Sequence, residues 1–208
     1  MRSHLVAGLD IGSTKTCAVI AEIGGDQPRR PVVRILGVGQ AKTVGLRREV
    51  VTDIEETTES VRAAMKEAEL MAGVSLDRVF VGVAGEHIHA KTSTGVVAVG
   101  RNEIDAGDVK RVQEVARAVV VPADREVLHV LSQEYVVDHR GGIRDPIGMA
   151  GTRLEAEVYI ITSSATATQN MRKAVTRAGY RIEALIHEPL ATSLAVLVED
   201  ERDVGVAL

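Results

Sequence analysis

The hydrophobic pattern of this chain changes period several times. Residues 5–10, 16–23 and 32–40 are apolar runs of strand character. The last two are separated by Gly24-Gly-Asp-Gln-Pro-Arg-Arg-Pro31, which reads as a turn. Across 53–73 the period becomes helical. Val61, Ala64, Met65, Ala68, Met71 and Ala72 recur at i, i+3, i+4 spacing and predict one buried face. Asp53 is placed to cap this helix, Glu56 is its capping-box partner, and Gly73 is a natural stop. Arg78-Val-Phe-Val-Gly-Val83 reads as the next strand. The order βββαβ predicts a mixed sheet, three meandering strands followed by a crossover.

After Gly82-Val-Ala-Gly85 the pattern becomes that of a small α+β module. Residues 86–100 alternate as a strand or hairpin. Residues 105–119 read as a helix with Val109, Val112, Ala116 and Val119 on one face, and 126–137 as a strand. His139 to Gly151 carries four glycines and a proline and reads as a mobile loop, and 153–162 alternates again. Residues 165–178 then predict a helix with Met171, Ala174, Val175 and Ala178 inward and Gly179 as its cap. A strand at 181–186 follows, and Glu188-Pro189 opens a last helix running to about Val198. Asp203-Val-Gly-Val-Ala-Leu208 reads as the start of another strand, the pattern expected of a fragment. The expected architecture is α/β, with 1–83 and 165–200 forming one domain around an inserted module at 84–164.

Composition narrows the function classes. Apolar residues make up 45% of the 208, enough for a core, but aromatics are only 2%. A stacking platform for nucleic acid is not expected. The net charge of −4, with both signs interspersed, also lacks a basic footprint. The single cysteine, Cys17, cannot form an internal disulfide, fits a reducing cytoplasmic setting, and reads as a small core residue. The N-terminus lacks a secretory pattern, and no stretch approaches the ~18 apolar residues of a membrane span.

The most chemically suggestive stretch is Asp10-Ile-Gly-Ser-Thr-Lys15. A turn of Gly12, Ser13 and Thr14 between two strands can present backbone N–H groups to phosphate oxygens. Asp10 would stand where a carboxylate can hold the water shell of Mg²⁺. The plainer reading is a hairpin with a small polar turn. The stretch is neither a G-x-x-x-x-G-K-[ST] loop nor a G-x-G-x-x-G fingerprint. Lys15 is either a phosphate counter-charge or simply solvated. His87 and His89 would share a strand face and could ligate a metal, although solvated histidines are commoner. Gly82-Val-Ala-Gly85 follows a strand, which argues against a KH-type G-x-x-G loop.

Several segments together resemble one family. They are Gly8-Leu-Asp-Ile-Gly-Ser-Thr-Lys15, Glu67-Ala-Glu-Leu-Met-Ala-Gly73, Gln133-Glu-Tyr-Val-Val-Asp138, Gly142-Ile-Arg-Asp-Pro-Ile-Gly-Met-Ala-Gly-Thr-Arg-Leu-Glu155 and Glu199-Asp-Glu-Arg202. They resemble the N-terminal half of the actin-like FtsA family of bacterial cell-division proteins. The first segment is shared by actin, Hsp70 and sugar-kinase relatives, whereas those in 133–155 are specific to this family and its neighbours. The resemblance implies a ribonuclease-H-like subdomain 1A from 1–83 and 165–200. It implies an inserted subdomain 1C at 84–164, and the start of a further subdomain at 201–208.

It also implies ATP and Mg²⁺ binding and filament formation. The role implied is tethering of the FtsZ ring to the inner face of the cell membrane at the division site. The FtsZ contact and the membrane-binding amphipathic helix would lie outside this sequence, whereas 84–164 would serve self-association and recruitment of later division proteins. By the same resemblance Asp10 holds the Mg²⁺–water shell, Gly12, Ser13 and Thr14 wrap the β- and γ-phosphates, and Lys15 is a counter-charge. Glu188-Pro-Leu-Ala-Thr192 is similar to a Glu-Pro-x-Ala-Ala stretch in which the carboxylate orients the attacking water. Glu188 could equally be only an acidic helix start. With one phosphate loop present, the chain alone is expected to bind ATP weakly and not to hydrolyse it. The alternatives are an ATPase or kinase of the actin–Hsp70–sugar-kinase superfamily, or a PilM-like pilus-assembly protein.

Overall fold

The computed structural model describes residues 4–25 and 32–207. The chain forms two compact units, residues 1–87 with 166–208, and residues 88–165.

In the first unit β1 (His4–Ile11), β2 (Lys15–Gly24) and β3 (Val32–Lys42) form an antiparallel meander. The turn expected before β3 falls, from residue 26 on, outside the described residues. A short ladder of β4 (Leu46–Arg47) and β5 (Val50–Val51) leads into α1 (Ile54–Ala72). The crossover then places β6 (Arg78–Val83) parallel to β1.

Three positions explain how α1 lies on this sheet. Val61, Ala64, Met65 and Ala68 are fully buried. Beneath them, Gly37 and Gly39 bring β3 almost into backbone contact with the helix. A Cβ on Gly39 would stand 1.9 Å from the Ala64 carbonyl oxygen, and one on Gly37 2.2 Å from that of Ala68. That contact points Ala72, not Met71, toward Gly37. Met71, expected on the core face, is 62% exposed, and its sulfur accepts the Val38 N–H at 3.3 Å.

The start of α1 buries hydroxyls that periodicity does not reveal. Thr57 donates to the Asp53 and Gly45 carbonyls, and Thr58 to those of Ile54 and Ala174. Asp53 caps through the Glu56 N–H at 3.0 Å. The reciprocal bond expected from Glu56 does not form, because the Asp53 N–H is already given to the Gly45 carbonyl. Gly73 ends the helix at φ 68°.

The second unit opens with β7 (His89–Ala98) and α2 (Ala106–Arg117), whose capping box joins Asp105 and Asp108. β8 (Arg125–Val137), β9 (Arg140–Ile143) and β10 (Arg153–Ser164) complete an antiparallel sheet in the order β7-β10-β8-β9. Ile104, Val112, Tyr135, Val137, Leu154 and Ala156 form one core cluster, and Ala116, Val158 and Ile160 another. Gly95 repeats the device seen under α1: a Cβ there would lie 2.4 Å from the Val112 carbonyl oxygen.

Part of the expected 139–151 loop is therefore strand. Asp138 and His139 take φ 45° and 69°, a tight turn that folds β9 back on β8. Beyond it the backbone is tied to Ile104 by the Gly148 N–H and the Met149 carbonyl, both at 2.9 Å. The Asp138 carboxylate accepts from Thr152 and Arg153, and these bonds hold it below the usual carboxylate range.

The chain returns to the first unit through α3 (Ala165–Arg177), β11 (Arg181–His187) parallel to β6, and α4 (Glu188–Val196). The sheet order is β11-β6-β1-β2-β3, with three parallel strands at one side. The strand expected from Asp203 is corrected by α5 (Glu199–Val204). Here the Glu201 carboxylate accepts the Val198 N–H at 3.0 Å, and Arg202 donates to the Ser193 and Leu197 carbonyls at the end of α4. These polar contacts favour a helical turn over the short apolar run, and Gly205 at φ 82° follows it. Among the described residues no helix is long and apolar enough to cross a membrane.

Candidate functional site

The carboxyl ends of β1, β6 and β11 lie side by side, the end of an open parallel sheet at which ligands characteristically bind. Asp10 is next to last in β1, and Glu188 is the first residue after β11. Gly82 of β6 lies between these two strands, paired with Ile186. A Cβ on Gly82 would meet Glu188 Cγ at 2.9 Å and Oε1 at 3.0 Å, so the carboxylate side chain lies across the bare glycine. Asp10, Gly82 and Glu188 line one groove together with Gly8, Cys17 and Phe80.

The β1–β2 turn has the form expected of a hairpin. The Gly12 N–H donates to the Lys15 carbonyl at 3.1 Å. The N–H groups of Ser13 and Thr14 have no acceptor among the described residues, and both residues are exposed. The charge of Lys15 acts on Asp10, lowering its pKa.

Glu49, which no sequence signal singles out, completes the cluster. It sits in the β4–β5 turn, and its Oε1 accepts the Ser13 hydroxyl at 2.7 Å. Burial first and then Glu49 push the Asp10 carboxyl upward, against the smaller opposing pull of Lys15. Glu188 is pushed up to about 7, first by burial and then by the charges of Asp10 and Glu49. A carboxyl titrating near neutrality is matched to exchange a proton at physiological pH.

Two other expectations are corrected. Cys17 faces the groove while its neighbours Thr16 and Ala18 are buried in the core. The alternation of β2 directs the two sets to opposite faces. His87 precedes β7 and His89 begins it, so the two share no strand. Among the described residues no group of three or more His, Cys, Asp or Glu side chains is arranged to hold a metal directly.

Replacing Gly82 by Ala is expected to displace the Glu188 side chain with little loss of stability, because the clash is with a flexible side chain rather than backbone. Carboxyl NMR titration should show the Glu188 pKa falling from about 7 toward the ordinary range. An unchanged titration would mean that Glu188 does not cross β6 at Gly82.

Residues 85–162 match the description "SHS2 domain inserted in FTSA". The chain is 42% identical over 204 residues to the cell division protein FtsA of Pseudomonas aeruginosa, covering 98% of this chain and 48% of that protein. The chain is FtsA-like along its whole length. FtsA of Neisseria meningitidis is 40% identical over 207 residues, covering 100% of this chain and 49% of that protein. For FtsA of Escherichia coli K12 the identity is 37% over 204 residues, covering 98% of this chain and 48% of that protein. The chain thus spans about half the length of the FtsA relatives it matches. A solved chain of the PilM-PilN type IV pilus biogenesis complex superposes with a TM-score of 0.59 at 14% identity, covering 91% of this chain and 49% of that one. At that identity the likeness concerns the fold, which is actin-like α/β.

Proposed function

We propose that this chain serves bacterial cell division as the part of an FtsA protein that supplies one phosphate loop and the inserted interaction module. The observation that carries the nucleotide half of this reading is the convergence of Asp10, the Gly12–Thr14 turn and Glu188 at one sheet end. Two unpaired N–H groups and the Lys15 ammonium suit phosphate oxygens. The neighbouring carboxylates of Asp10, Glu49 and Glu188 suit a hydrated Mg²⁺: the charge of Glu49 raises the pKa of the other two, and that of Asp10 raises Glu188. Bound there, Mg²⁺ would neutralise phosphate charge. Asp10 would orient its water shell, Ser13 and Thr14 would position the β- and γ-phosphates, and Glu188 would orient the attacking water. Phosphoryl transfer asks mainly for such positioning and charge.

In the complete protein the same reading gives a cytoplasmic ATP-binding polymer at the division site that links the FtsZ ring to the inner face of the membrane. FtsZ and the membrane would be met by parts beyond this chain. Relatives at 37–42% identity favour FtsA over the pilus-assembly alternative, for which only the fold speaks.

The test is a titration of this chain with Mg-ATP. Amide resonances of Gly12, Ser13 and Thr14 should move, and Asp10→Ala should abolish the movement. The melting temperature should rise little, well short of the ~2.7 kcal/mol conferred by a ligand at 100 times its Kd. Unmoved amides would refute the phosphate reading, and a large thermal shift would refute the weakness of the half-site.

A second expected result concerns the module at 84–164. Charge reversal at exposed Lys110 and Arg140 should weaken self-assembly of the full-length protein while leaving its melting temperature unchanged. Undiminished sedimentation of a broad panel of such variants would remove the module from the assembly surface.

A further inference from the structure

We infer that Glu49 is a resident anion on the phosphate turn, one that excludes free phosphate and admits phosphate only together with a divalent cation. This inference rests on the reading of Gly12–Thr14 as a phosphate turn, and it assigns that turn's selectivity to a residue outside the motif.

The first argument is hydrogen-bond capacity. A serine hydroxyl has one hydrogen to donate. Ser13 gives it to Glu49 Oε1 at 2.7 Å, and the Glu49 N–H in turn donates to Ser13 Oγ at 3.4 Å. Held from both sides, the hydroxyl has no proton left for a phosphate oxygen. What remains is a lone pair, which can accept from water or face a cation.

The second argument is the backbone that presents Glu49. Arg48 and Glu49 adopt φ of 47° and 60°. Non-glycine residues in the left-handed region are uncommon and persist where surrounding contacts fix them. One such contact is close packing: a Cβ on Gly85, itself at φ 110°, would stand 2.7 Å from Glu49 Cβ. The turn therefore holds Glu49 beside Ser13 as a built feature of the first unit.

The third argument is charge. Glu49 stands near enough to Asp10 and Glu188 to raise the pKa of both, with Lys15 as the opposing cation acting on Asp10. A bare phosphate entering this turn adds negative charge to three carboxylates. A phosphate carrying a divalent cation brings the compensating charge with it, and the outward lone pair of Ser13 and the three carboxylates then become favourable.

The experiment follows the Gly12, Ser13 and Thr14 amide resonances of this chain at pH 7.5, titrated with ATP in EDTA and with Mg-ATP. The parent should respond to Mg-ATP at low concentration and to metal-free ATP only weakly. Glu49→Ala, which frees the hydroxyl and removes the charge, should bind metal-free ATP about ten-fold more tightly than the parent, the equivalent of one hydrogen bond to a charged group. Glu49→Gln, which removes only the charge, should lie between them. Adding Ser13→Ala to Glu49→Ala should reverse part of the gain. Melting curves establish that each variant is folded.

If Mg-ATP moves these amides in parent and variant alike but Glu49→Ala binds metal-free ATP no better than the parent, Glu49 is not the selector and the phosphate turn stands. A parent that takes metal-free ATP as readily as Mg-ATP also overturns the inference. If no nucleotide form moves these amides, the phosphate reading fails and this inference with it.

Discussion

Gly39→Ala is expected to destabilise the first unit by about 3 kcal/mol, at the upper end of what overpacking costs. The added methyl would stand 1.9 Å from the Ala64 carbonyl oxygen and 2.6 Å from the Ala68 N–H nitrogen. Both neighbours are helix backbone, so no side-chain rotation relieves the clash. α1 must move away from β3, opening gaps around Val61, Ala64 and Ala68, which are now fully buried. For a chain of this size the melting temperature should fall by roughly 6–12 °C. Gly95→Ala should act alike in the second unit, where the methyl would meet the Val112 carbonyl oxygen and Ala116 nitrogen of α2. Gly73→Ala is the useful contrast. Nothing lies within 4 Å of that position, and only the left-handed φ of 68° is at stake. A loss below about 1 kcal/mol for Gly39→Ala would mean that α1 does not rest on β3 as described.

Glu188→Gln should make the protein more stable above neutral pH and leave it unchanged in acid. Burial and the charges of Asp10 and Glu49 raise the Glu188 carboxyl from 4.5 to about 7. The protonated form therefore favours the fold. This contribution is fully present below pH 4.5, declines as pH rises, and is gone above about 7. A full shift of this size would correspond to ~3 kcal/mol, but the group is only about half buried, and solvent screening reduces it to ~1–2 kcal/mol. The glutamine variant should lack this decline. Urea denaturation of both proteins at pH 4 and pH 8 measures it directly. Parallel pH profiles would show that Glu188 ionises as it does in the unfolded chain. On the proposed role of Glu188 in orienting an attacking water, the same substitution in a full-length protein is expected to remove whatever ATP hydrolysis that protein has, since an amide cannot accept the water's proton.

The apolar periods in the sequence located the main elements because burial imposes those periods locally. Val61, Ala64 and Ala68 mark a helix whatever it packs against, and Gly73 ends it by its own backbone freedom. Asp10 and the Gly12–Thr14 turn are adjacent in the chain, so the proposal that they meet phosphate can be framed from the sequence alone. Met71 shares a helical face with Val61, Ala64 and Ala68, but periodicity does not show where that face stops being covered; Cys17 lies on the face of β2 opposite to the buried Thr16 and Ala18. Thr57, Thr58 and Ser60 were overlooked as core because hydroxyls bury well only where carbonyl acceptors await them, and two of those acceptors, on Gly45 and Ala174, come from elsewhere in the chain. The run after Asp203 looked like a strand because strand propensity is local. Instead its first two residues, Asp203 and Val204, close α5, where Glu201 accepts the Val198 N–H at the start of that helix and Arg202 donates to the Leu197 carbonyl at the end of α4, and residues 205–207 form neither helix nor strand.

By itself the sequence determined the α/β character and the FtsA likeness, both carried by neighbouring residues or short spacings. Only the tertiary structure decided that Asp10, Glu49 and Glu188, far apart in the chain, share one sheet end. Parallel pairing of β1, β6 and β11 aligns their carboxyl ends, and the bare Gly82 between them lets Glu188 cross. The left-handed turn at Arg48 and Glu49 then brings in the third carboxylate. Long-range strand pairing and the absence of one methyl group place those charges, and neither can be read from the local order of residues.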